Sequence, residues 1–196
     1  MALRGAARCP DADAALAGLR ALWAAGARLA PSSLRECFHY SVESGGARGV
    51  ALWLSEAGFD WKAHGAGLPA SALGMGQFDA ARIAVGAGAS LDPDAELIAA
   101  QTRMACEDAP RMRDWLLARG FDWAGRGAGL PARALDKGHG ELAREMVALG
   151  APMGEPPGGW SGAQAREEAL STDHKAALEG FVSTRAPSAP GKRARL

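Results

Sequence analysis

Metal or nucleophilic chemistry in this chain would have to come from four histidines (His39, His64, His139 and His174) and three cysteines (Cys9, Cys37 and Cys106). A zinc site needs ligands paired at short intervals, as in Cys-x-x-Cys or His-x-x-x-His, and the chain has neither. Cys37 and His39 stand two apart, and such positions point to different faces of a helix, so a nucleophile–base pair is not expected there. An odd number of widely spaced cysteines reads as reduced, mostly buried thiols rather than a disulfide frame. Two glycine-rich stretches, Gly65-Ala66-Gly67 and Gly125-Arg126-Gly127-Ala128-Gly129, superficially resemble phosphate-cradling loops. Such a loop should follow a strand and carry a Lys-Ser/Thr, or open a helix as Gly-x-Gly-x-x-Gly. Neither condition holds, and the stretch occurs twice, which marks it as a recurring turn. The expectation is a non-catalytic chain with no metal and no cofactor.

The turn recurs because a longer stretch does. Gly58-Phe59-Asp60-Trp61 returns as Gly120-Phe121-Asp122-Trp123, and Gly65–Ala70 returns as Gly127–Ala132, 62 residues on in both cases. Self-similarity at a fixed interval is the signature of a repeat architecture. The interval divides, because Gly26, Gly58, Gly88, Gly120 and Gly150 follow apolar stretches at spacings of 32, 30, 32 and 30 residues. Those stretches are Ala14–Ala25, Gly46–Ala57, Gly76–Ala87, Asp108–Arg119 and Gly138–Leu149. The fifth position holds Val50, Ala80, Met112 and Leu142, with Gly18 in the first stretch. The ninth holds Leu22, Leu54, Ala84, Leu116 and Met146, and the tenth holds Trp23, Ser55, Val85, Leu117 and Val147. This pattern predicts the buried stripe of an amphipathic helix. The following glycine is a stop signal, because it takes the left-handed conformation cheaply.

A shorter helix fits ahead of each longer one. Ser32 or Ser33 is expected to cap Leu34–Glu43, and Asp94 or a neighbour to cap Ala95–Glu107. Leu68–Met75 and Leu130–Lys137 open on Leu-Pro pairs, and proline is tolerated in a first helical turn. With few aromatics (6%) and no convincing alternating run, the fold class is all-α.

Gly138-His139-Gly140-Glu141-Leu142-Ala143-Arg144-Glu145-Met146-Val147-Ala148-Leu149-Gly150-Ala151 resembles the second half of an ankyrin repeat. Gly76–Arg82, running on to Gly88-Ala89, is a weaker copy, and the Gly-Phe-Asp-Trp pairs resemble the family's Gly-Ala-Asp-Val. The family's Thr-Pro-Leu-His opening is replaced by Gly-Leu-Pro-Ala in two repeats. The resemblance implies an ankyrin-like helical-hairpin solenoid of about five repeats over residues 13–155, preceded by an N-terminal segment, 1–12. It implies a protein partner held by the loop tips and by exposed residues of the short helices on a concave face. Carried over by position, the candidate contact residues are Tyr40, Lys62, His64, Met75, Arg103, Glu107, Arg126, Arg133, Asp136 and Lys137. Ser44, Gly45, Gly74 and Cys106 hold equivalent places before the turns.

Trp23, Trp53 and Trp115 fall inside the longer helices and are expected in the core. Trp61 and Trp123 either plug the groove between neighbouring repeats or serve as exposed anchors, and the plug is favoured. Asp60 and Asp122 are expected to accept backbone N–H bonds in their turns.

Formal charge is balanced, 22 basic against 22 acidic residues, which opposes a general nucleic-acid grip. No apolar run is long enough to cross a membrane, and the early acids Asp11 and Asp13 do not suit a secretory signal. The Pro/Gly cluster Gly154–Gly159 ends the repeats. Residues 156–185 are expected to form a linker and a C-terminal capping helix over Ser161–Thr184. Residues 186–196 are expected as a disordered basic tail, in which Lys192-Arg193-Ala194-Arg195 is a weak nuclear signal. The expected protein is a monomeric, cytoplasmic protein-binding module. The alternatives are a toxin-neutralising or host-interaction protein, a self-associating stack, and an enzyme with an unrecognised site.

Overall fold

The structure, a computed structural model, describes residues 12–155, 167–169 and 171–172. The expected basic tail, most of the linker and capping helix, Cys9, His174 and residues 1–11 lie outside the described residues. The chain divides into an N-terminal unit, Met1–Phe121, and a C-terminal unit, Asp122–Leu196. The division falls where the second copy of the duplicated stretch reaches its aspartate.

The described residues are helical and contain no strand. The N-terminal unit holds α1 (Ala12–Ala24), α2 (Pro31–Glu43), α3 (Ala47–Glu56), α4 (Trp61–His64), α5 (Leu68–Gly74), α6 (Phe78–Gly86), α7 (Pro93–Arg103) and α8 (Ala109–Ala118). Helices α2/α3, α5/α6 and α7/α8 pack as consecutive pairs. Across pairs, α1, α3, α6 and α8 touch in succession along one row, and α2, α5 and α7 along the other. The C-terminal unit holds α9 (Trp123–Arg126), α10 (Leu130–Asp136) and α11 (Gly140–Ala148), with α10 packed on α11. Residues 167–169 and 171–172 are also helical; Ala169 is buried, and Glu168 pairs with Arg144 of α11 at 3.0 Å.

The expected short-then-long order fails in two pairs, since α2 has 13 residues and α7 has 11 against 10 in α3 and in α8. The helices of the five apolar stretches nevertheless all end in the same way. Gly26, Gly58, Gly88, Gly120 and Gly150 all have φ between +67° and +104°. In each case the glycine N–H donates to the carbonyl three residues back, and the next N–H to the carbonyl five back, as Gly58 does to Ser55 and Phe59 to Leu54. This is the Schellman arrangement, which satisfies orphan carbonyls and brings the residue after the glycine onto the ninth-position side chain. Phe59, Ala89, Phe121 and Ala151 are buried accordingly.

The stripe differs from expectation at one edge. Fifth-position Val50, Ala80, Met112 and Leu142 and ninth-position Leu54, Ala84, Leu116 and Met146 are buried. Tenth-position Ser55 and Leu117 are exposed, and Val85 and Val147 are half-buried. The sixth position takes the tenth's place in four of the five helices, where Leu19, Ala51, Ala81 and Ala143 are buried; in α8 it is Arg113, half-buried. At about 100° per residue, the sixth and ninth positions lie within roughly 100° of the fifth, whereas the tenth lies about 140° away. In the first helix the buried face is shifted: Ala15 and Leu19 are buried, and Gly18, Leu22 and Trp23 are half-buried.

The caps also differ. Helix α2 starts at Pro31 after an extended Ala30 with no side-chain cap, so neither Ser32 nor Ser33 caps it. Proline at the first position presets φ and removes one amide that would need a partner. In α7 the cap is the neighbouring Asp92 rather than Asp94 itself; its carboxylate accepts from the amides of Asp94 and Ala95 at 2.9 Å. Helix α7 stops at Arg103 rather than Glu107.

Two four-residue helices, α4 and α9, occupy what reads in sequence as loop. Asp60 and Asp122 cap them, accepting from Ala63 and Gly125 at 2.9 Å. Trp61 and Trp123 are buried, as plugs rather than exposed anchors. Gly65 ends α4 with no room for a side chain. A Cβ there would lie 2.4 Å from the Trp61 carbonyl oxygen and 2.8 Å from the Ala89 Cβ, and at Gly127 2.4 Å from the Trp123 oxygen and 2.9 Å from the Ala151 Cβ. The same collision in both copies explains why the glycine recurs.

A buried carboxylate latches α7 to α8. Glu96 accepts from the Trp115 indole N–H at 2.8 Å and pairs with Arg119 Nε at 2.8 Å, while the Arg119 guanidinium lies 5.7 Å from the Trp115 ring centre. Glu96→Ala leaves the indole N–H unpaired inside the unit, and is expected to cost roughly 1–3 kcal/mol in urea unfolding. A loss near zero would show that the latch contributes no net stability.

Candidate functional site

Helices α2, α5 and α7, which pack in one row, form an open trough with a volume of about 530 Å³. The floor is the outward side of α5: Ala70, Ser71 and Gly74, all small. One wall comes from α2, with His39, Val42 and Glu43, and the other from α7, with Ala95, Ile98, Ala99 and Thr102. Met75 closes the end of α5. Helical spacing produces both walls, because residues three and four apart share a face. Met75 and Ile98 are 52% and 64% exposed, large apolar side chains left facing water.

Partial burial in the wall draws His39 below the ordinary imidazole value of 6.5; the Arg35 charge adds to this, and Glu43 opposes it. The trough therefore carries one carboxylate and an imidazole inclined to stay neutral. Cys37, two residues before His39, faces the other way into the core. Burial, with Glu36 nearby, pushes its thiol up to about 11. The thiolate is the reactive form, so Cys37 is expected to resist iodoacetamide at pH 8 until denaturant is added, with mass spectrometry of digested protein as the readout. Modification of Cys37 as fast as in denaturant would place it at the surface. The sign of the coupling follows: the folded protein should lose stability as pH rises from about 9.0 toward about 11, where only the unfolded thiol ionises.

The candidate contact residues are dispersed. Met75 lines the trough, as does Gly74 beside it. Tyr40 is half-buried on α2 and is not part of the trough lining. Lys62 and His64 sit on α4. The His64 carbonyl accepts from Arg35 of α2, which also donates to the Ala66 carbonyl at 3.0 Å. The glycine-rich loop thus presents carbonyls to a guanidinium, and its Gly65 and Leu68 amides are spent on turn bonds. Arg103 is turned inward: it pairs with Asp108 at 3.3 Å in a nest made possible by Gly76, where a Cβ would lie 2.4 Å from the Asp108 carboxylate. Glu107 is exposed in the turn between α7 and α8.

In the C-terminal unit, Arg126 is half-buried on α9, and Arg133 is half-buried on α10 with Nε closed off from solvent. The Asp136 side chain is only 7% exposed and lies 3.6 Å from Lys137, which is half exposed. Asp136 is therefore largely withdrawn from contact. The residues that sequence reasoning passed over are His39, Glu43 and Ile98. Their signal was the shared face of α2 and the Ala95/Ile98/Ala99/Thr102 spacing of α7.

Among the described residues no group of three or more His, Cys, Asp or Glu side chains converges in a way that could hold a metal. No helix among them is long and apolar enough to cross a membrane. Compared with family models, curated proteins and solved structures, the chain finds no match.

Proposed function

We propose that the chain is a non-catalytic module of ankyrin-like type that binds a partner protein through the α2/α5/α7 trough. The observation that carries this reading is the trough itself: three helices of one row leave Met75 and Ile98 exposed over a floor of small residues. Apolar anchors set in a concavity and rimmed by polar groups suit protein association. The ankyrin-like assignment rests on the helix pairs of about thirty residues, the glycine stops and the two-row packing, which together suit a stack of hairpins. The helical residues 167–169 and 171–172, with Ala169 buried and Glu168 on Arg144, support a capping role for the C-terminal helix. Free Cys37 and Cys106 suit a reducing, cytoplasmic setting.

The test compares three full-length proteins in affinity capture, with helicity checked by circular dichroism. Ile98→Asp introduces a charge at an exposed trough position and is expected to lose the wild-type partner, weakening binding by roughly tenfold or more. A Lys62→Glu, Arg126→Glu, Lys137→Glu variant changes the loop-tip and turn charges instead, and is expected to retain it. Loss from both variants would extend the contact surface to those charges. Retention of every partner by Ile98→Asp would end the proposal for this face.

A further inference from the structure

The trough has a definite electrical sign. Glu43 is the one carboxylate in its lining, and no lysine or arginine lines it. Glu43 is exposed, and it has no hydrogen bond or ion pair among the described residues. Its electrostatic neighbour on α2 is His39. Glu43 is also the last residue of α2; Gly74 is the last of α5, and Thr102 the last but one of α7. All three line the trough, so three helix C-termini meet there. The N-termini of α3, α6 and α8 follow these ends after short turns and offset their dipoles, so the sign of the trough rests on the Glu43 carboxylate. The basic residue at that end, Arg103, is already tied to Asp108. Beside this anionic end stands the apolar part, Met75 and Ile98 over the small floor, where a bulky side chain or a close backbone fits.

We propose that the trough takes a basic peptide segment of a partner protein, with one large apolar side chain seated between Met75 and Ile98 over Gly74 and a neighbouring lysine or arginine directed to Glu43. The inference rests on the protein-binding reading above and names the partner's chemistry. Acidic peptides are opposed by Glu43. Nucleic acid is opposed on the same grounds, since its phosphates need a positive surface.

The probe is a library of random displayed peptides selected on the intact chain, followed by fluorescence polarisation with the winning sequence. Selected peptides should carry Leu, Phe or Trp with Lys or Arg within four residues. Glu43→Lys should weaken binding by about fivefold, and a peptide with its basic residue changed to Glu should recover that loss on the variant. Ile98→Asp should weaken binding by roughly tenfold or more. Peptides that bind equally well to both variants would overturn the trough chemistry and leave protein binding elsewhere intact. An acidic consensus, a failed charge swap or no enrichment would overturn it as well. The capture experiment judges the broader reading separately.

Discussion

Trp61→Ala is expected to destabilise the N-terminal unit by roughly 3–5 kcal/mol in urea unfolding followed by circular dichroism. The indole is only 3% exposed. It stands edge-on to Phe38 at 5.8 Å and to Phe59 at 5.0 Å, and it donates to the Ser55 hydroxyl at 3.0 Å. It thus joins α4 to α2 and α3, and an alanine leaves a void among two rings that cannot both collapse into it. Edge-on pairs add roughly 0.5–1.5 kcal/mol beyond burial. Trp61→Phe keeps ring packing and removes the N–H, so it should lose less than half as much. A loss under about 1 kcal/mol for the alanine variant would mean that the plug contributes little and the void refills.

Leu116→Ala is the second large effect, at roughly 2–5 kcal/mol. Leu116 is fully buried in α8, and its carbonyl accepts from the Phe121 amide at 3.0 Å in the helix stop. The side chain sits at the ninth position, where the stripe meets the residue after the glycine. Leu117→Ala is the control, because Leu117 is 43% exposed and surface truncations usually stay within about 0.5 kcal/mol. Equal losses at the two positions, or an unchanged melting point for Leu116→Ala, would mean that the α8 register is wrong.

Much of the fold was legible because its signals are local. A glycine at fixed spacing after an apolar stretch specifies a helix stop from sequence alone, and all five stops stand where the glycines put them. Proline at Leu68-Pro69 and Leu130-Pro131 marks a first turn for the same reason. Helices α4 and α9 escaped notice because four residues are too few for a 3.6-residue period to show. Their trace in the sequence was only the aspartate cap. The tenth-position error came from extending an apolar pattern by one residue: Leu117 is apolar but lies off the packed arc, and apolar residues on a surface are ordinary.

The candidate site was less legible. Met75 and Gly74 emerged from their place before a turn, but Ile98 and Glu43 depend on which helices lie side by side. That is tertiary information. The inward turn of Arg103 was hidden for a different reason, since it depends on Gly76 leaving space for a pair from the next hairpin. Buried Glu96 looks in sequence like any first-turn acid of α7, and its partners lie on α8.

Under the proposed trough binding, Gly74 sets folding against function. It is the last residue of α5, its φ is not left-handed, and a Cβ there would meet nothing within 4 Å. Alanine would gain about 0.5–1 kcal/mol through the unfolded chain's entropy, while raising the trough floor under any occupant. On the proposed reading, selection of variants by heat tolerance alone would drift toward filled troughs that bind less, and the glycine marks where this chain holds less than its attainable stability.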